Sequence, residues 1–180
     1  MLCALALAFL HTLAFGASDI PAPQRITGPA SMNGPELIYR LTQFVDWPPD
    51  RAHGIMRICL TGDDPDHSAW QELQRRHWRE GTVTVVRLTA FNQADKCKVV
   101  VVGRSLQKQA RVLIADLAKC NALTVAAFNG FASLGGMVEL SAAGPRRVMT
   151  LNPEAARRAG LRVNGGVLSV TAIARAGRGD

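Results

Sequence analysis

Residues 99 to 102 are four consecutive valines, led in by Cys97 and Lys98. A β-branched run with no alternation offers no polar face to water. It suits a strand covered on both sides, as in a parallel sheet between helical layers. Other short apolar runs fit the same scheme. Ile55 to Leu60 reads as a strand, Thr82 to Leu88 follows Gly81 as another, and Leu123 to Ala126 as a fourth. Between them, Asp66 or Ser68 can cap a helix that runs to about Trp78. A second helix, from about Ser105 to Lys119, holds Leu106, Ala110, Leu113, Ile114 and Leu117. The order β-α-β-β-α-β predicts an α/β fold, with a mainly parallel sheet flanked by helices.

The C-terminal third changes character. Met137 to Leu140 and Arg147 to Leu151 surround Ala143-Gly144-Pro145 and read as a hairpin. Asn152-Pro153-Glu154 then opens a helix: Asn caps, Pro takes the first turn, and Glu meets the positive end of the dipole. Gly160 is placed to end it in a left-handed cap. Leu161 to Ala176 is ambiguous between helix and strand, because Gly165-Gly166 interrupts it.

At the other end, Leu2 to Phe15 is nearly all apolar and carries no charge. The run has signal-peptide length and is short for a membrane span. Ala14-Phe15-Gly16 supplies small residues for cleavage before Ala17. Residues 1–16 are thus expected to be a signal peptide, with an uncleaved membrane anchor as the rival reading, residues 17–34 a flexible Pro- and Gly-rich leader, and residues 35–176 one domain. Within it, Pro35 opens a helix whose stripe is Leu37, Ile38, Leu41, Phe44 and Val45, stopped near Trp47 by Pro48-Pro49.

Export bears on the cysteines. Cys59, Cys97 and Cys120 remain after Cys3 leaves, so a pair among them can be bridged with one thiol left over. Their spacing matches no zinc motif, and the histidines supply no HExxH pair; no metal or cofactor is expected. The net charge is +7. Much of it comes late: Arg146, Arg147, Arg157, Arg158, Arg162, Arg175 and Arg178 are opposed only by Glu154 and Asp180. Such a face is either a solvated surface or a dock for an acidic partner; nucleic acid is not expected for an exported chain.

The remaining candidates each have two readings. Trp47 can anchor a partner or close the core over a helix end. Gly62-Asp63-Asp64 can hold a cation or form a solvated turn. Gly130-Phe131 with Gly135-Gly136 can cradle an anion or turn into the hairpin. Arg157, Arg158 and Arg162 can dock a partner, and Arg158 and Arg162 share a helical face only if the helix passes Gly160. No GxSxG elbow or paired carboxylates stand out, so the chain is not expected to be an enzyme.

Five pieces in order resemble one family. They are Tyr39-x4-Phe44-Val45-Asp46-Trp47-Pro48, Arg57 to Pro65, Cys97 to Val102, Leu123 to Val138 with its glycines, and Asn152 to Leu161 with its alanines. Together they resemble the YfiR family over roughly residues 35 to 175. The resemblance implies a periplasmic homodimer that binds and represses the periplasmic domain of a membrane-bound diguanylate cyclase. It implies redox-responsive release that raises cyclic di-GMP. It also implies a Cys59–Cys97 disulfide, which leaves Cys120 as the free thiol. One departure is the Asn164-Gly165-Gly166 interruption, where the family continues as an apolar helix. The alternative is a small-ligand-binding periplasmic domain serving a transporter or sensor kinase.

Overall fold

A computed structural model describes residues 23–27, 32–64, 66–144 and 146–165. Fourteen helices and strands organise these residues. In chain order they are β1 (Gln24–Thr27), α1 (Gly34–Leu41), β2 (Val45–Asp46), β3 (Met56–Thr61), α2 (His67–Gln71), β4 (His77–Trp78) and β5 (Gly81–Arg87). Then follow β6 (Val99–Val102), α3 (Ala110–Leu117), β7 (Leu123–Ala126), β8 (Val138–Ala143), β9 (Arg146–Leu151), α4 (Pro153–Arg158) and β10 (Arg162–Val163).

Eight strands form one sheet in the order β1-β9-β8-β7-β6-β3-β5-β4. The stretch from β5 through β3, β6 and β7 to β8 is parallel. The β8–β9 hairpin, β1 on β9 and β4 on β5 are antiparallel. The valine run is the reason for this centre. Its alternate side chains go to opposite faces, and both faces are buried. Val99 and Val101 join Ile58, Leu60, Leu123 and Val125 in a cluster with α1, α4 and the three tryptophans. Val100 and Val102 join Cys59, Ala126, Leu113 and Leu117 of α3, and Phe128 and Phe131, in a second cluster. Each helical layer thus covers one face of the same four valines.

The hairpin and the capped helix stand where the residues place them. Asn152 Oδ1 accepts the Ala155 N–H at 3.0 Å, and Gly160 sits at φ 74° just past α4. The residue just past β6 is Gly103, where a Cβ would lie 2.5 Å from the carbonyl oxygens of Thr61 and Asp63.

Four expectations need correction. The leader is not wholly outside the fold: Gln24–Thr27 is an edge strand, with Ile26 buried and paired to Met149. The helix expected to run to Trp78 stops at Gln71. Arg75 turns the chain with φ 67°, and its N–H donates to Val83 O at 2.9 Å, so the segment folds back on β5. The first helix ends at Leu41 rather than near Trp47. After a 3-10 turn over Thr42–Phe44, Val45–Asp46 pairs with β10. The helix expected from Ser105 is a 3-10 segment, Arg104–Gln109, before α3 begins. The expected signal peptide, leader residues 17–22 and 28–31, and residues 166–176 lie outside the described residues.

Candidate functional site

β3 and β6 are neighbours, with Cys59 opposite Val100. Cys97 closes the 3-10 turn Phe91–Lys96 just before β6. This brings the two cysteine Cα atoms to 5.9 Å, and their sulfurs are bonded. Both residues sit in the α3-side cluster, at 0% and 1% exposure. A cation braces the bridge from behind. Arg51 donates from Nη2 to the Cys97 carbonyl at 2.6 Å and from Nη1 to the Cys120 carbonyl. One guanidinium therefore ties the disulfide to the end of α3. Cys120 is the free, half-buried thiol. Burial first, then Asp95, pushes its pKa up against the opposing pull of Arg51. Little thiolate forms there near neutral pH.

The opposite face carries an aromatic cage. Trp47, at 5% exposure, meets Trp78 edge to face, with centroids 5.8 Å apart and planes at 87°. Trp78, at 1%, donates from Nε1 to Thr42 Oγ1 at 3.0 Å. The Arg79 guanidinium lies 4.7 Å and the Lys98 ammonium 4.9 Å from the Trp78 ring. A ring face attracts cations through its quadrupole. Trp47 is therefore a core residue, not an exposed anchor for a partner, because it is buried and packs on Trp78.

Lys98, at 5% exposure, donates from Nζ to the carbonyls of His53 at 2.7 Å and Ile55 at 3.1 Å. Burial above all, then Arg51 and Arg79, holds its pKa below the ordinary 10.5. Over the interval between the lowered value and 10.5 the unfolded chain binds the proton and the folded chain does not. Stability therefore rises with pH there, and below the lowered pKa the full cost of the buried charge is present. The difference in unfolding free energy between wild type and Lys98→Met, from urea titrations at several alkaline pH values, is expected to move in favour of wild type across that interval. A flat difference would mean that Lys98 titrates alike in both states.

The arginines expected to act together are split. Arg157 and Arg158 both pair with Glu154 on α4, Arg158 at 3.5 Å. Arg162 lies on β10, beyond the left-handed Gly160, so it does not share their helical face. Arg158 instead lines, with Arg111, a groove of about 400 Å³ whose other lining residues include Ile114, Ala118, Leu134 and Met137. The two loop candidates are turns. Asp64 accepts the Trp70 Nε1–H at 3.0 Å and the Asp66 N–H at 2.8 Å. In the glycine-rich loop, the Ala132 N–H already donates to Glu139 at 3.1 Å. Sequence reasoning missed Arg51 and the Lys98–Trp78 contact; a lone Arg after Pro-Pro-Asp and a Lys before a strand gave no signal.

Fold and site together define a disulfide-bridged α/β domain whose surface chemistry is cationic. A family model described as YfiR/HmsC-like matches residues 35–172, and the chain belongs to that family. The family is regulatory and non-catalytic, periplasmic, and acts with signalling partners in cyclic di-GMP control. No curated protein matches the chain. No described helix is long and apolar enough to cross a membrane.

Proposed function

We propose that this protein is a periplasmic, dimeric repressor that holds the sensor domain of an inner-membrane diguanylate cyclase inactive and responds to redox state. The membership in the YfiR/HmsC-like family carries this reading. The bridged Cys59–Cys97 pair supplies a redox-sensitive element within the core sheet. The groove lined by Arg111 and Arg158 together with Ile114, Leu134 and Met137 combines apolar and cationic side chains, suited to an acidic, amphipathic segment of the partner.

The test uses the periplasmic domain of a membrane-bound diguanylate cyclase from the same genome, captured on immobilised protein at several salt concentrations. The double reversal Arg157→Glu with Arg158→Glu is expected to weaken capture by about tenfold or more at low salt and to flatten the salt dependence. Unchanged capture would make the basic face a solvated surface. A second reading, a small-ligand domain, is favoured by the same groove, whose size falls within the range of ligand sites.

A further inference from the structure

A second cleft, of about 210 Å³, opens directly over the disulfide. Its walls come from two sides. Arg57 and Arg87 reach it from the adjacent parallel strands β3 and β5, and Gln93 and Lys96 from the 3-10 turn that leads into Cys97. Cys59 and Cys97 line it as well. No acidic residue lines this cleft. Among the described residues, none of Arg57, Arg87 and Lys96 has a carboxylate within 4.0 Å. Three uncompensated cations thus surround the approach to one S–S bond. Cys59 and Cys97 are themselves buried, whereas Gln93 and Lys96 at the cleft are exposed, so a reductant meets these side chains before it meets the sulfurs.

We infer that this cleft selects the reductant of the Cys59–Cys97 bridge by charge, admitting small thiols that carry additional negative charge. The inference deepens the redox element of the proposed function, and it stands whatever the partner is. The chemistry is thiol–disulfide exchange. The thiolate of the small thiol bonds to one cysteine sulfur, the Cys59–Cys97 bond breaks, and its electron pair leaves on the other cysteine sulfur as a thiolate. A second small thiolate attacks the mixed disulfide and frees the other cysteine. Two small thiols are oxidised to their disulfide, and the protein bridge gains two electrons; the protons released from the small thiols return to the cysteines. The attacking and leaving groups are both anionic, so nearby cations favour the encounter and the charge that spreads over three sulfurs. An extra sulfonate or carboxylate on the reductant gains from the same cations, and an ammonium loses.

The experiment compares three thiols: 2-mercaptoethanesulfonate (anionic), 2-mercaptoethanol (neutral) and cysteamine (cationic). Each reduces the oxidised full-length mature protein, and bridge opening is followed by alkylation and mass mapping of Cys59 and Cys97. Rates are expressed per thiolate and divided by the rate for the same protein unfolded in urea, which removes intrinsic reactivity. The folded-to-unfolded ratio is expected to be about tenfold larger for the sulfonate than for the ammonium thiol at low salt, and nearly equal at 1 M salt. Lys96→Glu, on an exposed turn, is expected to lower or reverse the preference, and Arg87→Gln to reduce it. Equal ratios for the three thiols would overturn the inference, as would a preference that survives both substitutions. Failure of partner capture would leave these rates untouched, so the two readings fail separately.

Discussion

Replacing Cys59 and Cys97 together by alanine is expected to lower the unfolding free energy by about 4 kcal/mol. The bridge joins residues 38 apart, so its loss returns the loop-closure entropy of that segment to the unfolded chain. Alanine is the right replacement because both positions are fully buried against Val100 and Val102, where a serine hydroxyl would have to find a partner. Urea unfolding of the oxidised wild type and of the double-alanine variant measures the effect. A difference below about 1 kcal/mol would mean that the unfolded segment is already held compact without the bridge. Because the loop contains β5 and the turn before β6, the same loss is expected to raise proteolysis first between Glu80 and Lys96.

Trp78→Ala carries a comparable cost, about 4 kcal/mol, for a different reason. The ring is almost wholly buried and is met edge-on by Trp47. Its removal leaves a cavity. It also takes the cation–π partner from Arg79 and from Lys98, and Lys98 is already short of solvent. Trp78→Phe keeps an aromatic face and forfeits the Nε1–H bond to Thr42, so about 1–2 kcal/mol is expected. Thermal unfolding of the pair separates the two effects. Equal losses would show that the hydrogen bond, and not the ring, is what the site depends on.

The parts of this fold that were legible are those in which local chemistry and tertiary position agree. The valine run could only be a doubly covered strand, and Asn152-Pro153-Glu154 could only begin a helix. β1 was illegible because Gln24-Arg25-Ile26-Thr27 offers a single apolar side chain, and its strand character comes entirely from β9. The shortened α2 was illegible because Gln74, Arg75 and Arg76 are good helix formers, overruled by pairing with Val83. Trp47 looked like a surface anchor or a lid because nothing beside it in sequence predicts Trp78, which meets it from thirty-one positions on. The cationic cleft was hidden for the same reason. Arg57, Arg87 and Lys96 are separate in the chain and converge only through the register of β3 with β5 and the turn before β6.

The placement of β1 also sets an order of events. Thr27 pairs with Val148 and Gln24 with Leu151, so the first strand of the domain waits for almost the last. Closing so long a loop is entropically slow, and β1 buries little to drive it. The parallel centre and the β8–β9 hairpin can therefore assemble first, leaving the outer side of β9 bare. During that interval the bare side is a template for any strand of the right length, including β1 from another copy. Newly made chains at high concentration would then be prone to exchange their first strands, a route to misassembled pairs that begins before the disulfide or any partner comes into play.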